Sequence, residues 1–179
     1  MTTPLTASLP ERAQMKYDTA NPQKLATYLS EGTDNSTQAI AKNIDIGIYK
    51  NQLDPNENSI CMYDDGTGFT LEALMDYTKL YSSYNAKNPV DGQPSISKFG
   101  AGAHDKSMSL SKVVEIITKH EENNNPFRIV IDYTNCTATI PTEVIFDNPS
   151  PSFTKITMKK VDSRHLDDLY NESSARKRF

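Results

Sequence analysis

The chain has 179 residues, 36% of them hydrophobic and 23% charged, with a formal net charge of −4. This length suits one domain with a proper core and is too short for two comfortable ones, and no apolar run approaches the roughly 20 residues of a membrane helix. The acidic balance excludes a protein whose whole surface binds nucleic acid, so DNA association stays open but has no support from net charge, and the lack of a long apolar run argues against a membrane partner.

The N-terminal stretch MTTPLTASLPERAQ lacks the basic and apolar regions of a secretory signal, so an intracellular location, nuclear or cytoplasmic, is the default. Residues 1–20 show no period and read as an arm without a core of its own; residues 21–179 read as the domain. Asn21 and Pro22 start a helix as N-cap and first-turn proline, running to about Asn43 with Leu25, Leu29, Ala39 and Ile40 inward. Within it, EGTDNS (31–36) places Gly32 and other weak helix formers mid-helix, where Gly costs about 1 kcal/mol relative to Ala. Such a local sacrifice fits a site better than scaffold. Glu31 and Asn35, four apart, share one helix face. A carboxylate there can activate water and an amide oxygen can ligate Mg²⁺; a polar solvated face is the bland alternative.

IDIGIY (44–49) and SICMY (59–63) read as an antiparallel hairpin joined by a turn at Asp54-Pro55. The second strand delivers Asp64, suited to an exocyclic amine such as that of adenine, and Gly66 and Gly68 let the chain turn and leave room for a flat ligand. Thr70 caps a helix LEALMDYTKLY, with Leu71, Leu74, Met75 and Leu80 available for packing. Residues 82–97 are polar and aperiodic, a lid that extends to about 99. Gly100 and Gly102 then open a helical run whose N-terminal amides suit phosphates. His104 and Lys106 lie nearby, His104 being equally readable as a core residue. The spacing matches neither the P-loop nor the dinucleotide fingerprint. Strands follow at 112–119, 126–133, 136–140 or 143–146, and 153–159, where Ile156 and Met158 alternate with Thr157 and Lys159; a short helix ends the chain. Cys61 and Cys136 read as buried thiols, and the basic clusters at Lys159, Lys160, Arg164 and at Arg176, Lys177, Arg178 as solvated surface.

The order E-x-x-x-N, D-x-G-x-G, lid, F-G-x-G (Phe99, Gly100, Gly102) and a late strand Thr (Thr154) resembles the GHKL ATPase superfamily. That superfamily includes type II topoisomerases, heat-shock chaperones, histidine kinases, MutL and MORC proteins. EGTDNSTQAI, DDGTGFTLEAL and SKFGAGAHDKSMSLS look most like the MORC branch, and the similarity spans roughly residues 20 to 160. The resemblance implies a Bergerat fold: an α/β two-layer sandwich, a mixed, mostly antiparallel sheet with helices on one face. It implies Glu31 as the base that activates water, Asn35 as Mg²⁺ ligand, Asp64 as adenine reader and Gly66 and Gly68 as the turn admitting the base. Lys98, Phe99, Gly100, Gly102, His104, Lys106 and Thr154 complete the nucleotide set. Slow Mg²⁺-dependent ATP hydrolysis, lid closure and ATP-dependent homodimerisation follow. Gly32 and Thr33 replace an apolar pair, His104 stands where the lid lysine is usual, and Phe153 replaces the glycine before Thr154. These departures leave open a non-catalytic nucleotide sensor or interaction module; a heat-shock-chaperone-like ATPase is a further alternative.

Overall fold

A computed structural model describes residues 6–8, 25–77 and 110–167 of the chain. Its strands are β1 (Thr6–Ser8), β2 (Ile44–Tyr49), β3 (Ser59–Asp64), β4 (Ser111–Lys119), β5 (Phe127–Asp132), β6 (Thr137–Thr139), β7 (Thr142–Glu143) and β8 (Phe153–Val161). Helices α1 (Leu25–Gln38) and α2 (Leu71–Tyr77) precede the long strands, and residues 163–167 form a last helical turn, α3. The sheet order is β1-β6-β5-β4-β8-β3-β2, with β7 on β5. Every pairing among the described residues is antiparallel. The architecture is the expected α/β sandwich with a mostly antiparallel sheet. Part of the arm takes part in it, since Thr6–Ser8 pairs with Thr139–Thr137 at one edge.

Alternation along the central strands builds the core. Ile60 and Met62 of β3, Val114 and Ile116 of β4, Ile129 and Ile131 of β5 and Met158 of β8 are buried in one cluster. Leu25 and Tyr28 of α1, Leu74 of α2 and Leu166 of α3 cover that face. On the other face Glu115 accepts hydrogen bonds from Arg128 Nε (2.5 Å) and Lys159 Nζ (2.7 Å), an ion triad across three strands. Desolvation raises the Glu115 pKa, but those bonds outweigh it and hold the carboxyl below its usual range. Tyr63 stacks on Phe153 at 5.9 Å, and Phe146 packs on Phe153 at 5.3 Å beneath Lys155. Buried Asn58 fastens the hairpin turn to the end of β8, donating to Val161 O (3.2 Å) and Ser163 Oγ (3.1 Å) and accepting from Asn51 N–H (2.8 Å).

Several local expectations change in tertiary context. α1 ends at Gln38, so Ala39 and Ile40 do not belong to its inward stripe, which is Leu25, Tyr28, Leu29, Gly32 and Ser36. Leu71 and Met75 of α2 are exposed, whereas Ala73 and Leu74 are buried. Thr70 caps α2 as expected, its Oγ1 accepting from Ala73 N–H at 3.2 Å. Cys61 and Cys136 form no disulfide and are half-buried rather than buried. Lys159 and Arg164 belong to surface ion pairs with Glu115 and Asp162. Asn21, Pro22, Leu80, the lid at 82–99 and the tail cations lie outside the described residues. No helix among the described residues is long and apolar enough to cross a membrane.

The end of α1 is a Schellman turn: Ala41 N–H reaches Ser36 O and Ile40 N–H reaches Thr37 O, both at 3.0 Å. Ile40 thereby takes φ +59° with its side chain 56% exposed. A β-branched residue is strained in this left-handed region, and little burial offsets the strain. Ile40→Gly is expected to raise stability by about 1 kcal/mol, seen as a higher denaturation midpoint at unchanged m-value.

Candidate functional site

The site is built where α1 lies along β3. Gly32 sits over Met62, and Ser36 Oγ donates to Asp64 Oδ2 at 2.9 Å. Four helical residues advance about 6 Å and two strand residues about 6.7 Å, so the two contacts repeat in step and helix and strand run together. Gly32 is small for this reason: a Cβ there would lie 2.5 Å from Met62 Sδ and Cε. The weak helix formers are thus partly a packing requirement, which corrects their reading as a sacrifice made for the site alone. Thr33 and Thr37 close their hydroxyls onto the carbonyls of Leu29 (2.8 Å) and Thr33 (2.9 Å).

Asp64 is buried at the end of β3, its Oδ1 accepting from Gly66 N–H at 3.0 Å. Burial pushes its pKa up, the Gly66 and Ser36 hydrogen bonds oppose this, and the adjacent Asp65 charge adds to the rise, for a raised net value. Thr154 of β8 is its direct cross-strand partner, and Thr118 of β4 is the next in line. All three are buried on the helix face, in one polar row where the core alternation ends. Thr118 Oγ1 donates to Phe153 O (2.9 Å), accepts from Phe69 N–H (2.9 Å) and lies 3.4 Å from Thr154 Oγ1. It ties the glycine loop to two strands.

Both glycines of that loop meet protein backbone. A Cβ on Gly66 would lie 2.7 Å from Ala39 O, the carbonyl that receives Thr67 N–H at 2.9 Å. Gly68 has φ +70°, and a Cβ would lie 2.1 Å from Lys119 O. Close approach to the turn after α1 and to the end of β4, rather than space for a ligand alone, accounts for both. Asp65 points away and receives Lys42 N–H (2.7 Å), Asn43 N–H (2.8 Å) and Asn43 Nδ2 (2.7 Å), clamping the α1–β2 turn. These bonds, those of Asn43 foremost, hold its carboxyl below the usual range. An open cleft of about 410 Å³ lined by Tyr63, Asp65 and Asn148 lies on this outer side, behind the polar row.

Glu31 is half-buried and Asn35 exposed, each one residue, or 100° around the helix, from the inward positions Gly32 and Ser36. They flank the ridge that meets β3. Lys98, Phe99, Gly100, Gly102, His104 and Lys106 lie outside the described residues. The sequence pattern assigns no role to Ser36 or Thr118. Thr118 had a signal, a polar residue at a position that the alternation Val114, Ile116 assigns to the core. Ser36 follows Gly32 by four along the inward ridge.

The chain combines a mostly antiparallel sheet, helices on one face and a helix-side polar row that ends in a D-x-G-x-G loop. Residues 24–164 match the family of histidine kinase-, DNA gyrase B- and HSP90-like ATPases, and the chain belongs to that family of ATP-binding domains. No curated protein matches the chain.

Gly68→Ala is expected to cost about 3 kcal/mol or more, because strain and a backbone clash coincide. Gly32→Ala stays within about 1 kcal/mol of wild type, since the Met62 thioether can move aside and helix propensity improves. Denaturant melts of the two variants compare them directly. Asp64 supplies a pH test. With a raised folded pKa, its protonation stabilises the fold fully below the unfolded value of about 4, and this is lost as pH rises through the folded value. Asp64→Asn keeps an acceptor for Gly66 and a partner for Ser36, so it removes that dependence. Relative to wild type, the variant should gain stability progressively as pH rises from about 4 through the folded value. Paired thermal melts with a pH-independent difference would contradict the raised value.

Proposed function

We propose that the domain binds Mg²⁺·ATP with its base against the Asp64–Thr154–Thr118 row and hydrolyses it slowly, in the manner of MORC-like GHKL domains. The observation that carries the reading is the Ser36–Asp64 hydrogen bond, which joins the helix bearing Glu31 and Asn35 to that row. A buried carboxylate with both oxygens already holding protein donors presents its remaining lone pairs to an exocyclic amine, favouring adenine over a base with a carbonyl there. Thr154 supports Asp64 from the next strand, and the Gly66–Gly68 turn forms the border that admits the base.

Glu31, on the helix flank, takes the proton from the attacking water. Asn35 is exposed, so its amide oxygen is free of burial and suits a hard cation; Mg²⁺ takes few protein ligands and keeps water and phosphate oxygens for the rest. When bound, Mg²⁺ neutralises charge on the phosphates. On the sequence pattern, Lys98, Phe99, Gly100, Gly102, His104 and Lys106 hold the phosphates, residues 82–99 close as a lid, and closure favours a homodimer. Residues 21–179 constitute this domain and residues 1–20 an N-terminal arm.

A thermal shift with Mg²⁺ and a non-hydrolysable ATP analogue tests the reading. At about 100-fold excess over Kd, wild type gains about 2.7 kcal/mol, and Asn35→Ala and Asp64→Asn lose most of this. Glu31→Ala retains binding and loses phosphate release. Absence of any shift in wild type refutes ATP binding, binding without turnover selects the non-catalytic sensor, and equal turnover in Glu31→Ala removes Glu31 as the base.

A further inference from the structure

Ser36 is buried on the inward ridge of α1, and its only side-chain heteroatom is committed to Asp64 Oδ2 at 2.9 Å. We propose that Ser36 is a positioning residue, its hydroxyl holding the Asp64 carboxylate in the orientation and acceptor state that reads the nucleotide base. The inference rests on the ATP reading given above and assigns one residue's part in it.

The chemistry follows from the donor inventory. Gly66 N–H can only donate, so Asp64 Oδ1 must be an acceptor. Oδ2 is the oxygen that could carry a proton, and its neighbour is Ser36 Oγ. With the hydroxyl proton directed at Oδ2, both oxygens are acceptors and the carboxylate is the favoured form. Without the hydroxyl, Oδ2 has lost its donor in a buried setting, and a proton fills the gap. A protonated Oδ2 would present a donor to an exocyclic amine that itself donates, and the base would lose its partner.

Among the described residues, the surroundings leave this task to Ser36. Across the strands Asp64 faces Thr154 on β8 and Ile44 on β2, both uncharged, and α1 presents Gly32 and Ser36. The charged group acting on it is Asp65, which opposes ionisation, as does burial. Gly66 and Ser36 are the two groups working in the other direction. Only Ser36 can be altered in its donor without rebuilding the loop, since a side chain on Gly66 would meet Ala39.

The experiment uses the full chain as wild type, Ser36→Ala and Ser36→Thr, each checked for folding by circular dichroism and melting. Asp64 is titrated by carboxyl ¹³C NMR in nucleotide-free protein, and the affinity of a fluorescent ATP analogue with Mg²⁺ is followed across the same pH range. In Ser36→Ala the Asp64 midpoint moves up, the acid limb of binding moves up by the same amount, and affinity at neutral pH falls about tenfold, the size of one charge-assisted hydrogen bond. Ser36→Thr keeps the hydroxyl and the wild-type midpoint. An Asp64 midpoint unmoved in folded Ser36→Ala, or raised equally in Ser36→Thr, overturns the positioning role whatever the nucleotide does. A wild type that does not bind the analogue overturns the ATP reading instead, and the NMR titration still decides the Ser36–Asp64 coupling.

Discussion

A carboxylate buried at the end of a strand must find donors or give up its charge. In this domain the donors come from two elements, Ser36 of α1 and Gly66 of the loop after β3. The geometry of the helix, the sheet and the loop therefore depends on one side chain. Because Thr154 and Thr118 continue the same line across β8 and β4, the sheet's apolar alternation ends in a polar row at one edge of the core. The apolar cluster behind it keeps the row in register.

The close approach of α1 to β3 sets the second constraint. Gly32 costs helix propensity, but it lets α1 lie close over Met62, one turn before Ser36 reaches Asp64. Gly66 and Gly68 play the same part on the other side of the loop, where the backbones of Ala39 and Lys119 fill the space that side chains would need. The adjacent aspartates divide the work by strand alternation: Asp64 faces the core and is raised in pKa, whereas Asp65 faces out and is lowered by amide donors. Two residues of identical chemistry thereby acquire opposite tasks, one joining α1, β3 and the glycine loop from within and one holding the α1–β2 turn.

Much of this was legible from local pattern. The β2–β3 hairpin, the Thr70 cap of α2 and the alternation of β8 all follow from periods of two or from capping chemistry within a few residues. The end of α1 was not, because Ala39 and Ile40 continue the helical period while the chain instead turns at Ile40 to meet Gly66 and Asp65. Nor could the sequence order show that Thr118 and Thr154, 36 residues apart, meet at 3.4 Å. Asn58, an unremarkable polar residue in a turn, is a buried junction only because β8 ends and α3 begins beside it.

By itself the sequence determined the class, since the residue types and short spacings along 24–164 encode the local backbone and chemistry shared with the family. The tertiary structure alone decided which groups act on one another. Ser36 became the partner of Asp64, and Gly32 a packing glycine, only when α1 was laid along β3. The reason is physical: hydrogen-bond donation and desolvation depend on distances between elements remote in the chain, and those distances exist only after the sheet has assembled.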